Sequence, residues 1–176
     1  MKSRILLLIL LGFGNGLQAQ QSFCFRAPDA VLREVHEAIQ ARHERQALRL
    51  LEQTLQDHPD WQTDRPELLI QELWFLYYSL ALQEGLAGAS QGLMQYLQLG
   101  PASVWKQRGY TLMGKYYFLH GQYQESIRCY EQGGISLLTN EELVERNFEL
   151  GYAYLVSGQL DKVDRYFQTA RSIPGD

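Results

Sequence analysis

The chain contains four histidines, and a neutral imidazole can bind a metal ion or transfer a proton. They are His36, His43, His58 and His120. None stands three or four residues from another histidine or from a cysteine, the spacing that would place two ligands on one helix face. His36 and His43 also lie on either side of a predicted helix break. The sequence therefore does not favour a metal site, and we expect no cofactor.

Catalytic signatures are also missing from the sequence. The one G-x-S-x-G match, at residues 88–92, falls in a predicted helix rather than at the strand-to-helix turn that a nucleophile elbow requires. The sequence contains no phosphate-binding glycine-rich loop followed by Lys-Ser/Thr and no H-E-x-x-H pair. The adjacent Glu141 and Glu142 could suggest acid–base chemistry, but acidic residues in the first turn of a helix commonly interact with its dipole. We expect no catalytic residues and a protein that is not an enzyme.

Aromatic residues are numerous enough to suggest a glycan-binding platform, since the chain has eleven tyrosines and three tryptophans. We expect most of them to pack in the core rather than to bind a ligand. Examples are Tyr77, Tyr110, Tyr117, Tyr130 and Tyr154.

Two cysteines, Cys24 and Cys129, stand 105 positions apart, and sequence alone cannot pair them. We interpret both as buried or half-buried small residues. Cys24 does not follow the small-residue stretch typical of a lipoprotein signal, so lipid attachment is not expected there.

The elements that must position these side chains are predicted to be helices. Apolar residues recur every three or four positions over 104–120 and 143–157, and each stretch is longer than an ordinary strand. Thr139 with Glu142 predicts a capping box, and Asp64 with Glu67 predicts a second one. The pattern indicates eight helices, at about 29–41, 44–57, 65–83, 87–98, 102–119, 123–134, 140–156 and 160–172.

An internal repeat relates the last helices to the ones before them. The stretch FLHGQYQESIRCYEQG contains Gly121, and SGQLDKVDRYFQTA contains Gly158, 37 positions further along the chain. Each glycine is followed by an amphipathic segment with an aromatic residue at the same offset, Tyr130 and Phe167. Two segments that agree in this way indicate repeated helix-turn-helix units.

Several motif positions agree in register across these units. The fourth unit has Leu150-Gly151-x2-Tyr154, Val163-x3-Phe167 and Pro174, and the third has Met113-Gly114-x2-Tyr117 and Ser126-x3-Tyr130. The second unit keeps Trp74, and the first keeps Ala47-x3-Leu51 with Pro59. The pattern resembles the tetratricopeptide repeat (TPR), a helix-turn-helix unit of about 34 residues. The resemblance implies an all-α solenoid of about four repeats over residues 28–176, wound as a right-handed superhelix.

The same resemblance implies a concave groove lined by the first helix of each unit. Its mixture of apolar and polar side chains would suit an extended peptide or a partner helix. The groove residues implied in this way are Phe75, Ser79, Leu82, Arg108, Thr111, Lys115, Phe118, Phe148, Tyr152 and Leu155.

The amino-terminal segment has the layout of a secretory signal. Lys2 and Arg4 precede an apolar run over residues 5–11, and Ala19 offers a cleavage site. We therefore expect a signal peptide at 1–19, an extension at 20–27 and no stable membrane span after cleavage. Without Lys2 and Arg4, 14 Lys and Arg remain against 20 Asp and Glu, a net charge of −6. Such an acidic chain is not expected to bind nucleic acid.

These observations favour a non-catalytic, exported interaction scaffold in the periplasm or at the outer-membrane surface, with a protein or peptide as partner. The alternative is a periplasmic sensor or receptor module that binds an oligosaccharide or peptide. We also expect uncovered apolar surface at the carboxy-terminal end of the repeats, available to a homo-oligomer or to further repeats.

Overall fold

The computed structural model describes residues 27–61 and 67–174. Within these ranges the chain forms eight α-helices, one short 3₁₀ turn and no β-strand, which confirms the predicted all-α class. The predicted signal peptide and Asp64 lie outside the described residues. The helices are α1 (Pro28–Gln40), α2 (Glu44–Asp57), α3 (Leu68–Gln83), α4 (Ala89–Leu99), α5 (Val104–Leu119), α6 (Tyr123–Gln132), α7 (Asn140–Val156) and α8 (Leu160–Ser172).

The helices form four successive hairpins, α1–α2, α3–α4, α5–α6 and α7–α8. The first helix of each hairpin contacts the first helix of the next, and the second helix of each contacts the first helix of the following hairpin. Each unit therefore packs mainly on its neighbours in sequence, which is the arrangement of an α-solenoid.

Left-handed backbone conformations end the first helix of each hairpin. Gly85, Gly121 and Gly158 have φ angles of 67°, 70° and 74°, a region that costs glycine little. The turn between α5 and α6 is closed by a 2.9 Å hydrogen bond from the Gln122 amide to the Tyr117 carbonyl. In the first unit Arg42 adopts φ 59° instead. Gly121 is therefore a helix-hairpin turn, as its repeat predicts.

Helix starts follow local capping chemistry. The predicted capping box of Thr139 and Glu142 is present at the start of α7. Helix α5 begins at residue 104 rather than 102, because the Ser103 side chain accepts a 3.1 Å hydrogen bond from the Lys106 amide. Helix α4 begins at residue 89 rather than 87, because Gly88 has φ 80° and cannot continue a right-handed helix. Helix α3 begins at Leu68 rather than residue 65, and its N-cap, Glu67, makes no side-chain capping bond.

Small residues let the paired helices approach closely. A Cβ atom on Gly114 of α5 would lie 2.6 Å from ring carbon Cδ1 of Tyr130 on α6. On the same helices, the Ser126 hydroxyl donates a 2.8 Å hydrogen bond to the Gly114 carbonyl. Gly151 meets the ring of Phe167 in the same way. These two motif glycines therefore allow close packing of the paired helices in both carboxy-terminal hairpins.

The core consists of three groups of buried side chains arranged along the solenoid. The first lies among α1 to α4, the second is centred on Leu97 and Met113, and the third on Leu150 and Tyr154. Cys129 is buried, as predicted, and forms no disulfide within the described residues, whereas Cys24 lies outside them. Burial raises the pKa of the Cys129 thiol to about 11. Among the described helices, none has the length and apolarity needed to cross a lipid bilayer.

Candidate partner-binding groove

A cleft of about 600 Å³ lies along the face formed by α3, α5 and α7. It is the face that the repeat pattern predicts as concave. Six of the ten predicted groove residues line it: Phe75, Ser79, Leu82, Arg108, Thr111 and Lys115. The structure therefore brings together the three predicted residues of the second unit and three of the four predicted residues of the third.

The floor of the cleft is apolar and firmly packed. Phe75 is only 7% exposed and lies 5.4 Å, centroid to centroid, from Trp105. The Arg108 guanidinium lies 5.8 Å from the centre of the Phe75 ring, within the range of a cation–π interaction. Phe75 therefore shapes the floor and orients Arg108 while offering little surface of its own.

Two predicted cations of the cleft are neutralised by acidic residues on α7. The Arg108 Nη2 atom lies 2.8 Å from an oxygen of Glu142, and Lys115 Nζ lies 2.7 Å from both carboxylate oxygens of Glu145. Arg108 also donates to the Leu137 carbonyl. Because Glu142 caps α7 at the same time, its carboxylate ties the start of α7 to α5. These pairs leave neither cation as an open anion site.

Arg146 is the lining cation for which no carboxylate lies within ion-pair distance among the described residues. Its Nη2 atom donates a 2.6 Å hydrogen bond to the Tyr130 carbonyl, and its guanidinium lies 5.7 Å from the centre of the Tyr130 ring. The Nε atom is buried without a hydrogen-bond partner in the described part of the chain. Burial lowers the pKa of Arg146, although a guanidinium stays charged at neutral pH. The cleft therefore carries one cation that lacks an acidic partner within the described ranges.

A buried carboxyl group lies on the other side of Tyr130. Glu149 of α7 is 5% exposed and accepts a hydrogen bond from the Tyr130 hydroxyl. Burial raises the pKa of the Glu149 carboxyl, and the Tyr130 hydrogen bond opposes part of that shift. The pKa of Tyr130 is also raised, first by burial and then by this hydrogen bond. The hydrogen bond between Glu149 and Tyr130 fixes the Tyr130 ring, which also lines the cleft.

The remaining four predicted groove residues lie outside the cleft. Phe118 and Tyr152 meet edge to face at 5.8 Å, and Tyr152 lies 5.9 Å from the ring of Tyr123. Phe148 lies 5.6 Å from the Phe167 ring. Leu155, like Phe148 and Tyr152, is exposed on α7. These residues form a separate aromatic surface at the last unit.

Among the lining residues contributed by α7, the predicted set misses three charged ones, Glu142, Glu145 and Arg146. They occupy the first turns of α7, where the sequence pattern assigns Glu142 only a capping role. Their place in the lining could have been predicted from their spacing, because residues at intervals of three and four along α7 face α5 if the two helices are neighbours.

A second cleft, of about 720 Å³, lies among α2, α3 and α4. Its lining includes Trp74, Tyr77 and Tyr78 and none of the predicted groove residues. These rings contact one another, with Trp74 and Tyr78 stacked at 5.8 Å, so they serve mainly as core. Over residues 27–61 and 67–174, no group of three His, Cys, Asp or Glu side chains could hold a metal ion.

No protein-family model matches the sequence, and no curated protein matches it. Among solved structures, the crystal structure of MamA, a TPR-like protein, is similar to this chain with a TM-score of 0.58. The match covers 82% of this chain and 76% of the MamA chain at 19% sequence identity. At that identity the similarity concerns the fold alone. It supports the TPR-like helical repeats predicted from the sequence.

Proposed function

We propose that this protein is a non-catalytic interaction scaffold of the bacterial cell envelope that binds a partner peptide or helix in the cleft along α3, α5 and α7. The observation that carries the proposal is the lining of this cleft, which combines an apolar floor with polar groups contributed by three successive first helices. A concave, largely preformed surface of this kind suits an elongated ligand that touches several repeats.

The charges of the cleft narrow the class of ligand. Arg108 and Lys115 already have acidic partners on α7, so a strongly acidic peptide would have to displace Glu142 and Glu145. Arg146 has no such partner among the described residues and can donate to a single carboxylate or backbone carbonyl of the ligand. The favoured ligand is therefore an apolar peptide segment with one acceptor group that faces Arg146.

A displayed random-peptide library selected on the full chain tests this assignment. Peptides enriched on the wild type should bind Ser79→Trp at least about tenfold more weakly, because the indole fills the cleft. Peptides enriched on Arg146→Gln should lack the acceptor group that faces Arg146 in the wild type. Leu99→Trp places the same side chain at a position that is 77% exposed on α4 and should bind normally. Equal binding by the wild type and Ser79→Trp would show that the cleft is not the peptide-binding site. Binding of glycans instead of peptides would favour the receptor alternative.

The envelope location rests on the layout of residues 1–19 and has its own test. Fractionation of cells that express the tagged chain should recover it from the periplasm or the outer-membrane fraction. Mass spectrometry of that material should find a mature amino terminus at Gln20. Recovery of the uncleaved chain from the cytoplasm would contradict export without affecting the groove.

A further inference from the structure

Three equivalent positions recur on the first helix of the last three units. They stand ten, six and three residues before the turn glycine in each unit. The residues at these positions are Phe75, Ser79 and Leu82 before Gly85, then Thr111, Lys115 and Phe118 before Gly121, and finally Phe148, Tyr152 and Leu155 before Gly158.

In the third unit these positions face the next hairpin. Lys115 pairs with Glu145 of α7, and the Phe118 ring contacts the Tyr152 ring. The Thr111 hydroxyl lies 3.3 Å from the Gly134 carbonyl in the loop that leads to α7. The three positions therefore mark the surface on which a following first helix docks.

In the fourth unit the same surface is apolar and uncovered in the part of the chain that the structure describes. Phe148 is 54% exposed, Tyr152 38% and Leu155 44%. Val144 and Val156 extend this surface toward both ends of α7 and are also exposed. We call these five residues the α7 stripe. Its docking positions carry no charged side chain, unlike Lys115 in the preceding unit.

The order of residues along the stripe suits a second copy of itself. Val144, Phe148, Tyr152 and Val156 follow one another at intervals of four, an aliphatic–aromatic–aromatic–aliphatic series that reads alike in both directions. Rows at intervals of four are ridges that interlock when two helices pack. We propose that two copies of this chain associate through the α7 stripe about a two-fold axis, with the helices antiparallel. Val144 then faces the second copy's Val156, and Phe148 faces its Tyr152.

Head-to-tail stacking fits the surface less well. It would place the outer face of α1 on the α7 stripe, and the exposed positions of α1 include Arg33, Glu34 and Glu37. Burial of these charges against apolar rings would carry a large desolvation cost. A two-fold contact instead buries apolar side chains on both copies.

The size of the stripe indicates a moderate affinity. It exposes on the order of 400 Å² of apolar surface, about half of the ~800 Å² that each partner buries in a standard interface. A surrounding polar rim contributes the rest. We therefore expect a reversible dimer with a Kd on the order of micromolar.

Sedimentation velocity of the full chain over a range of concentrations tests the proposal, with two charge variants and their combination. Val144→Glu and Val156→Lys each place an unpaired charge in the contact and should each produce a monomer. The double variant should recover the dimer, because the introduced carboxylate of each copy would then face the introduced ammonium group of the other copy. Within one chain these positions are about 18 Å apart along the helix, so the two introduced charges cannot pair there.

Matched variants separate self-association from the groove and from misfolding. Leu99→Glu adds a charge at an exposed leucine on α4, and Ser79→Trp fills the cleft; both should dimerise like the wild type. Phe148→Ala removes an exposed ring and should weaken the dimer about tenfold or more. Far-UV circular dichroism confirms that each variant is folded. A wild type that stays monomeric at all concentrations, or a folded double variant that stays monomeric beside a dimeric wild type, overturns the proposal.

Discussion

The stability of the core behind the cleft depends on pH through one residue, Glu149. Its carboxyl is buried against the Tyr130 hydroxyl, and burial raises its pKa above the ordinary 4.5. The folded state therefore holds this proton more tightly than the unfolded state. The stabilising contribution is complete below pH 4.5 and declines as the pH rises through the folded-state pKa.

Replacement of Glu149 by Gln should remove this dependence. The amide keeps an oxygen that can accept from Tyr130 but never becomes charged, so the free energy of unfolding should rise at pH 7 and match that of the wild type in acid. Urea unfolding at several pH values measures the effect. Glu141→Gln, at an exposed acid on the same helix, is the control and should change stability by no more than about 0.5 kcal/mol. A Glu149→Gln variant that loses stability at neutral pH would show that the charged form is the one the fold favours.

The stability of each helix hairpin depends mainly on how closely its two helices approach each other. A Cβ on Gly114 would lie within 2.8 Å of three ring atoms of Tyr130, which is 1% exposed and held by Glu149. A Cβ on Gly92 of α4 would also approach a tyrosine, at 2.8 Å from Cε1 of Tyr78. The atoms that this Cβ would meet are at the far end of the half-buried Tyr78 ring, so a small shift of the side chain relieves the contact.

Gly114→Ala should therefore destabilise the protein by about 1–3 kcal/mol, even though alanine favours a helix interior by about 1 kcal/mol. Gly92→Ala should stay within about 1 kcal/mol of the wild type, because the same gain in helix propensity offsets a small shift of Tyr78. Midpoints of urea unfolding at constant m-value provide the comparison. Similar losses of stability in both variants would show that the contact at Gly114 is no more restrictive than the contact at Gly92.

Sequence patterns predict these elements well where the determinant is local. A turn glycine such as Gly121, or a capping box such as Thr139 with Glu142, depends on residues within a few positions of one another. Ser103 is not predicted as the cap of α5 because Lys106 does not complete that motif. The pairing of Arg108 with Glu142 joins two helices 34 positions apart and follows only once their packing is known. For the same reason the sequence pattern predicts Phe148 and Tyr152 as groove residues. Their register identifies a docking face, but it does not show whether another helix covers that face.

Among the described helices of the molecule, α8 should be the least stable. In a solenoid each unit is stabilised by its neighbours, so terminal helices open most readily. Helices α1 and α8 are both terminal among the described elements and both span 13 residues. Four residues of α1 are buried, whereas Val163 is the single buried residue of α8. The core group that contains α1 also shares Tyr78, Leu82 and Tyr96 with the group around Leu97 and Met113. Among the described residues, the group around Leu150 and Tyr154 has no member in common with either of the others.

Native-state hydrogen exchange followed by mass spectrometry should therefore show that α8 opens at a lower free energy than α1. The sample must be dilute, because self-association through the α7 stripe would add protection to α7 in proportion to occupancy. Val163→Ala should lower protection in α7 and α8 while leaving that of α1 unchanged, since it removes the one buried anchor of α8. If α1 opened at a lower free energy than α8, the number of buried residues would not determine which terminal helix opens first. If Val163→Ala lowered protection equally in all helices, the chain would behave as one cooperative unit rather than as a series of neighbouring repeats.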